Sequence, residues 1–172
     1  MENLNRPLTD SIRREARLSD DGAYRYELVR MWGSGISHIL WVMLNPSIAD
    51  ASIDDPTIRR CTGFTSDWGF NAYTVVNLYA FRSTSPLRLR FAADTVGPEN
   101  GQAIRGAARH AQLIICAWGH AGPNANRPNE VVSLLVSAGH KDKLRRLGTR
   151  KNGQPRHPLM LGGNCKPLPF WG

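Results

Sequence analysis

Apolar runs separated by polar turns and helix-like segments set the pattern of this chain. Residues 23–44 (AYRYELVRMWGSGISHILWVML) contain two strand-like runs around Gly33-Ser34-Gly35, a pattern that predicts a β-hairpin. Residues 71–82 (NAYTVVNLYAFR) and 112–119 (QLIICAWG) predict two further strands, because both are compact and apolar, and the first is rich in β-branched and aromatic residues.

Three segments between and after these runs have helical character. The first, DPTIRRCTGFTSDWG, offers Asp55 as an N-cap and Pro56 at the first helical position. Helices are also predicted in residues 97–111 and 129–139, the latter stopped by a glycine. Alternating strands and helices predict an α/β fold of three layers, with a central, mainly parallel sheet edged by the N-terminal hairpin.

The two ends of the chain have less pattern. Residues 142–161 (DKLRRLGTRKNGQPRHPLML) predict one or two short strands around the Asn152-Gly153 turn, and residues 162–172 read as a loop. Residues 1–20 are predicted to form a basic N-terminal arm or peripheral helix. We therefore expect one α/β domain, residues 21–172, because a chain of 172 residues is too short for two ordinary domains.

Polar or aromatic groups follow the predicted strands where each one ends. In parallel α/β sheets, ligands bind beyond the carboxyl ends of the strands. The residues at these ends are Asn45, Asn77, Trp118, Gly119, His120, Arg156, His157 and Pro158. The pattern therefore predicts one common crevice built from four separate segments.

The composition of the chain argues against several classes of protein. The chain is 41% hydrophobic and 21% charged, and no apolar run approaches the ~20 residues that cross a bilayer. The N-terminus lacks the apolar core of a secretory signal, so we expect a cytoplasmic protein that does not bind membranes. The three cysteines, Cys61, Cys116 and Cys165, are too few and too scattered for a disulfide framework or a zinc knuckle. We expect neither a metal nor another cofactor.

Charge points to a polyanionic partner. Twenty-two Lys and Arg against fourteen Asp and Glu give a formal charge of +8. Such a surface favours nucleic acid through the release of counterions, although it is also compatible with a solvated surface that has no specific partner. The expected partner is DNA, bound by a monomer.

The order of the motifs MLNPS, VVNLYAFR, IICAWG and RHPLML resembles that of the uracil-DNA glycosylase superfamily, in which one strand ends in Gly-x-Asn-Pro-Gly or a variant and a later one in His-Pro. It is more similar still to a bacterial and phage family catalogued only as a domain of unknown function. The resemblance runs from about Trp41 to His120 and resumes at His157. It implies a uracil-DNA-glycosylase-like fold and a glycosylase activity.

The resemblance also implies roles for individual residues. Asn45 would hold the water that attacks the sugar, while Pro46 and Ser47 would shape the turn beside the ligand. Asn77 would read the base, and His157 would stabilise the departing base or contact a phosphate. An apolar wedge inserted into the DNA stack would comprise Leu159, Met160 and Leu161.

Departures from the superfamily pattern bear on the substrate. Ser47 replaces the usual glycine, and no aromatic residue follows Pro46 to block bases that carry a 5-substituent. We therefore expect a monofunctional glycosylase that flips out uracil or a 5-modified pyrimidine, including a hypermodified base of phage DNA, with a role in repair or anti-phage defence. Base stacking is assigned to Phe81 and Trp118, with Gly119 beside them. The arginines assigned to DNA phosphates are Arg59, Arg60, Arg82 and Arg156.

Three carboxylates near Asn45 leave alternatives open. Asp50 is a candidate for the base that activates water, and Asp50, Asp54 and Asp55 together are candidates for Mg²⁺ ligands in a nuclease. The opposing interpretation is that Asp55 caps a helix and the other two are solvated. Two other functions also stay open, namely a non-catalytic reader of modified nucleic acid and an enzyme that acts on free nucleotides.

Overall fold

A computed structural model describes residues 12–34 and 37–172 of the protein. Within these residues the chain forms one sheet and three α-helices. The strands are β1 (Arg13–Leu18), β2 (Arg25–Met31), β3 (His38–Met43), β4 (Ala72–Asn77), β5 (Leu113–Cys116), β6 (Leu144–Arg146) and β7 (Leu168–Pro169). The helices are α1 (Pro56–Asp67), α2 (Asn100–His110) and α3 (Arg127–Ser137).

The seven strands found in the described residues lie in the order β1-β2-β4-β3-β5-β6-β7. The four central strands, β4, β3, β5 and β6, run parallel, and the outer pairings are antiparallel. Leu40 at the centre of the sheet is in register with Thr74 on one side and Ile114 on the other. The predicted mixed α/β fold with a mostly parallel central sheet is therefore confirmed.

Helices cover both faces of the sheet. Along β3, Ile39 and Trp41 pack into a core with residues of α1, whereas Leu40 and Val42 pack into a second core with residues of α2 and α3. Because successive side chains of a strand point to opposite faces, a strand covered on both sides is apolar throughout. This explains why β3 and β4 are almost continuously buried.

Local sequence fixes the start of α1 as predicted. The Asp55 side chain accepts a hydrogen bond from the Ile58 backbone N–H at 2.9 Å, and Pro56 occupies the first turn. Trp68 caps the other end, so the helix stops before Gly69. The predicted strands in residues 71–82 and 112–119 and the helix in 97–111 are also present, within shorter bounds. The helix predicted in residues 129–139 forms as α3, two residues earlier in the chain.

The predicted pairing at the N-terminal edge is wrong. The strands predicted in residues 23–44 both form, but β4 lies between them, so β2 and β3 are not a hairpin. The edge hairpin instead joins β1 to β2. Residues 13–18, assigned to an N-terminal arm, therefore belong to the sheet, and residues 1–11 lie outside the described residues. Residues 168–169 of the predicted C-terminal loop pair with β6 as an edge strand.

This topology brings an unexpected strand end to the crevice. Because β2 is antiparallel to β4, the first residue of β2 lies at the edge where the parallel strands end. Arg25 therefore sits beside the carboxyl end of β4. In the described part of the chain, no helix has the length and apolar character needed to cross a membrane.

Candidate functional site

A cavity of about 280 Å³ opens at the carboxyl edge of the parallel strands. Its lining comes from the ends of β3, β4 and β5, the starts of β2 and α1, and a segment that follows β6. The side chains that matter chemically are Arg25, Asn45, Ser47, Asp55, Asn77, Trp118, His120, Arg150, His157, Leu159 and Met160. The predicted crevice is thus present, and it includes Asn45, Asn77 and His157.

The Asn45-Pro46 turn holds one amide in a fixed orientation. The Nδ2 atom of Asn45 donates to the carbonyl oxygens of Pro46 at 3.0 Å and Ser83 at 2.9 Å. The Ser83 N–H in turn donates to the Pro46 carbonyl at 2.9 Å. Pro46 is buried and shapes the turn, while Ser47 lines the cavity. Because both side-chain bonds of Asn45 use Nδ2, its Oδ1 is left to accept a hydrogen bond from a water.

Asn77 carries the strongest sign of a missing ligand. It lines the cavity, its side chain is 1% exposed, and neither Nδ2 nor Oδ1 has a hydrogen-bond partner among the described residues. Leaving a buried polar atom unpaired costs about 1–3 kcal/mol. The backbone around it is well held, because Asn100 Nδ2 donates to the carbonyls of Asn77 and Leu78 at 3.0 and 3.1 Å. A ligand with one donor and one acceptor would satisfy this amide.

Gly119 brings His157 to the end of β5. Its φ of +77° suits glycine, and a Cβ placed on it would lie 3.2 Å from the Cβ of His157. The Gly119 N–H donates to the Pro155 carbonyl at 3.0 Å, and Arg150 Nη1 donates to the Gly119 carbonyl at 2.8 Å. His157 thereby reaches the cavity although it lies eleven residues beyond β6 in sequence.

Both cavity histidines are held as neutral donors. The Nδ1 atom of His157 accepts from the Leu159 backbone N–H at 3.3 Å, and that of His120 accepts from Gly122 at 3.1 Å. Burial lowers the pKa of His157, an effect that Asp55 opposes and His120 increases. Burial and then Arg150 lower the pKa of His120. At neutral pH each ring therefore carries its proton on Nε2.

The three carboxylates have separate roles. Asp55 lines the cavity while its Oδ1 caps α1. Asp54 forms ion pairs with Arg30 at 2.7 Å and Arg14 at 3.8 Å. Asp50, the predicted base, lies outside the cavity lining, and its Oδ1 accepts from the backbone N–H groups of Ser52 and Ile53.

Asp50 therefore closes a turn, and Asp55 is the carboxylate at the cavity. The hydrogen bond from the Ser52 backbone N–H is the main reason that the pKa of Asp50 lies below its usual value. No group of three His, Cys, Asp or Glu side chains is placed to hold a metal within residues 12–34 and 37–172.

Of the two aromatic residues assigned to base stacking, only Trp118 lines the cavity. Trp118 lines the cavity, is 2% exposed, and donates from Nε1 to Gln154 Oε1 at 2.7 Å. Phe81 does not line it. Phe81 instead packs edge-on against Tyr24, with ring centroids 5.9 Å apart, and borders a separate hollow that also includes Arg82. Base stacking in the cavity is thus open to Trp118 and not to Phe81.

A basic rim adjoins the cavity. It consists of Arg150, Lys151 and Arg156, which border an opening of about 410 Å³ that shares Gly119, Arg150, His157 and Met160 with the cavity. All three cationic side chains of this basic rim are exposed. Arg156, assigned to DNA, belongs to this rim, and its Nε donates to the Thr149 carbonyl at 3.3 Å.

The other assigned arginines lie elsewhere. Arg60 donates to the Leu161 carbonyl and stacks on the Phe64 ring at 4.6 Å, so it serves the packing of the fold. Arg59 is exposed and donates to the Asp54 carbonyl at 2.6 Å. Arg82 donates to the Gly22 carbonyl at 3.3 Å and lines the separate hollow beside Phe81 rather than the cavity.

The predicted wedge is only partly exposed. Leu159 and Met160 are 48% and 76% exposed at the mouth of the cavity. Leu161 instead packs against the core that contains α1. An apolar contact with a partner is therefore available to Leu159 and Met160 but not to Leu161.

Sequence reasoning missed Arg25 and Arg150 in the lining. Arg150 lies in the basic run TRKNGQPR just before His157, a signal that was present in the sequence. Arg25 had no such signal, because its place depends on the pairing of β2 with β4. It is 2% exposed, lines the cavity, and has an Nε without a partner in the described structure.

Comparison with known protein families gives a match over residues 25–159, to the family described as protein of unknown function (DUF1643). This confirms the resemblance to a family of unknown function and extends it upstream to Arg25. No curated protein and no solved structure matches the chain.

Proposed function

Since the chain belongs to the family described as protein of unknown function (DUF1643), we propose its activity from the chemistry of its cavity. The proposal is a monofunctional DNA glycosylase that flips out uracil or a 5-modified pyrimidine and hydrolyses its N-glycosidic bond. The observation that carries it is the meeting of Asn45, the unpaired Asn77 amide and His157 in one cavity.

The reaction needs a positioned water more than a strong base. Cleavage of an N-glycosidic bond passes through an oxocarbenium-like sugar, which a weak nucleophile can attack. The free Oδ1 of Asn45 supports the binding of that water, and the carboxylate of Asp55 is a second acceptor in the same cavity. Water gives its hydroxyl to C1′ of the sugar, and its proton passes to an acceptor or to solvent.

Recognition of the base would fall to Asn77 and Trp118. An amide presents one donor and one acceptor, which complement the imide edge of a uracil-type base. The volume of about 280 Å³ lies near the lower end of small-molecule sites, about 300 Å³, which suits one flipped base rather than a longer segment. Trp118 supplies an aromatic wall, and Nε2–H of neutral His157 supplies a donor for a carbonyl of the departing base.

The surroundings of the cavity favour DNA over a free nucleotide. The basic rim offers three cations for successive phosphates, and Leu159 and Met160 offer exposed apolar side chains beside it. Flipping a base out of a duplex costs a few kcal/mol, which phosphate clamps and an apolar wedge offset. Such a surface predicts binding that weakens steeply with salt.

The proposal is tested by base release from oligonucleotides that contain uracil, 5-hydroxymethyluracil, 5-hydroxymethylcytosine or glucosylated 5-hydroxymethylcytosine. We expect one of these bases to be released, as detected by mass spectrometry and by alkali-labile abasic sites. Asn45→Ala should slow release by about a hundredfold or more, because the attacking water loses its acceptor. DNA binding should change little, and Asn129→Ala, on the exposed surface of α3, should release base at the wild-type rate.

Three outcomes contradict the proposal. Tight binding of one modified strand without release, unchanged by Asn45→Ala, indicates a non-catalytic reader. Cleavage of free nucleosides or nucleotides without cleavage of DNA indicates a nucleotide enzyme. Release that persists at the wild-type rate in Asn45→Ala removes the role given to Asn45.

A further inference from the structure

Two arginines of β2 are buried, and they differ in how completely they are paired. Arg30 is 0% exposed, forms an ion pair with Asp54, and donates from Nη2 to the Asp50 carbonyl at 2.6 Å. Arg25 is 2% exposed and donates from Nη1 to the Ala49 carbonyl at 2.5 Å. Its Nε has no partner in the described part of the chain, and the side chain lines the cavity.

The positive charge of Arg25 is only partly compensated. Asp55 is the carboxylate whose charge acts on it, and no carboxylate oxygen in the described residues lies within ion-pair distance of the guanidinium. Burial accordingly lowers the pKa of Arg25 to about 10, which leaves it charged at neutral pH. The titratable and charged groups around it are Asp55 at the start of α1, Arg82 after β4, Arg30 on β2, Tyr73 on β4, and, across the cavity, His120, Arg150 and His157.

The buried charge of Arg25 and the unpaired amide of Asn77 line the same cavity, and together they can recognise a polar ligand. Burying a charge is costly unless it is paired and hydrogen-bonded, so a ligand that brings a negative oxygen would repay part of this cost. Arg25 and Asn77 contribute three unpaired polar atoms to the same cavity. Arg25 offers N–H groups, whereas Asn77 offers both a donor and an acceptor.

We infer that Arg25 donates to a ligand oxygen that gains negative charge as the base departs, and that the cavity therefore binds a pyrimidine-2,4-dione more tightly as its anion than in its neutral form. The inference rests on the proposed function. It names the class of base and adds a catalytic residue, Arg25, to Asn45 and His157.

The role fits the electron balance of the reaction. When the C1′–N1 bond breaks, its electron pair stays with the base, and the charge spreads to the ring oxygens. His157 and His120 are neutral at neutral pH and supply hydrogen bonds without a full charge. Arg25 keeps its proton throughout, so it stabilises the anion without proton transfer, and the base takes a proton from solvent after release.

The test is calorimetric binding of 5-fluorouracil to the full chain, from about pH 7 to about pH 9. The ring N–H of this base ionises in mildly alkaline solution, well before that of uracil. We expect the affinity to rise about fivefold or more over this range, because the ionised fraction of the base rises and the guanidinium attracts the anion more strongly than the neutral ring. Uracil, which stays largely neutral, should show a flat profile, and it controls for ionisation of the protein.

Variants separate Arg25 from its neighbour. Arg25→Met should abolish the rise in affinity with pH, and Arg25→Lys should keep a smaller rise because it retains the charge but not the Nε–H donor. Arg30→Met is the matched control: it removes the other buried arginine of β2 and should keep the rise. If Arg25→Met does not fold, the wild-type affinities for 5-fluorouracil and uracil as a function of pH decide whether the cavity prefers the anion.

The inference is overturned if the wild-type protein binds both forms equally, does not bind 5-fluorouracil, or keeps its pH dependence in Arg25→Met. These results are distinct from a failure of the glycosylase proposal. Anion binding that depends on Arg25, found without release of base from DNA, would uphold the inference as a binding site and overturn the glycosylase. Release of base from DNA, found together with an affinity for 5-fluorouracil that does not change with pH, would uphold the glycosylase and overturn the inference.

Discussion

Asp55 combines two tasks in one side chain, and a single substitution can separate them. Its Oδ1 caps α1, while its charge acts on His157 and Arg25. Asn caps helices about as well as Asp, so Asp55→Asn should change the free energy of unfolding by less than about 0.5 kcal/mol. Loss of the negative charge should lower the pKa of His157 further, because Asp55 is the group that raises it.

The measurement is an NMR titration of the His157 ring, paired with urea denaturation. Asp55→Ala serves as the comparison, since it removes both the cap and the charge and should cost about 1 kcal/mol of stability. An unchanged pKa of His157 in Asp55→Asn would show that the carboxylate does not act on the ring. A large loss of stability in Asp55→Asn would show that the negative charge itself holds the start of α1.

At the scale of elements, α1 is joined to the segment that carries His157. Arg60 on α1 donates to the Leu161 carbonyl and lies over the Phe64 ring. Arg60→Met should therefore lower the free energy of unfolding by about 1.5–3 kcal/mol, the usual range for a hydrogen bond to a charged group. Arg59→Met, one residue away and exposed, should change it by less than about 0.5 kcal/mol.

Hydrogen exchange gives a local readout of the same pair. Backbone amides near Leu161 should exchange faster in Arg60→Met than in the wild-type protein. In Arg59→Met they should exchange at the wild-type rate. Equal stability and equal exchange in the two variants would place Arg60 on the free surface, where the sequence analysis assigned it to DNA.

Elements defined by local chemistry were predictable, and those defined by distant pairing were not. Asp55 and Pro56 mark the start of α1 in the sequence itself, so the start of that helix is predicted to the residue. The strands in residues 23–44 were also found, but their partner is β4, about thirty residues later. Apolar alternation identifies a strand without identifying its neighbour, which is why a hairpin was predicted there.

The candidate site divides in the same way. Asn45, Asn77 and Trp118 lie at or just after the ends of predicted strands, so the parallel sheet brings them together as expected. Arg25 depends on the antiparallel pairing of β2 and could not be found without it. Asp50 and Phe81 were misplaced because a polar or aromatic residue close to a strand end can also close a turn or pack against a neighbour, as these two do.

At the scale of the whole molecule, histidines with lowered pKa values predict how stability depends on pH. Burial lowers the pKa of His38, His120, His140 and His157. Unfolded histidines take up protons near pH 6.5, whereas these four take them up at lower pH in the folded protein. The unfolded chain thus binds more protons just below pH 6.5, so stability decreases as the pH falls through this range.

Urea denaturation at pH 7, 6 and 5 measures this effect. We expect the free energy of unfolding to decrease from pH 7 to pH 5 and NMR titration to give pKa values for the four rings that are lower than the ordinary value of about 6.5. A free energy of unfolding that is constant or increases on acidification would contradict the prediction.

The segment around His157 has a further consequence for the rate of ligand binding. Gln154 accepts from Trp118, Pro155 from Gly119 and Leu161 from Arg60, so the segment is fixed on both sides of the histidine. This wall of the cavity is therefore held by its own hydrogen bonds before a ligand arrives. For a free base, which needs no flipping, we therefore expect differences in affinity among related bases to arise mainly in how long each one stays bound.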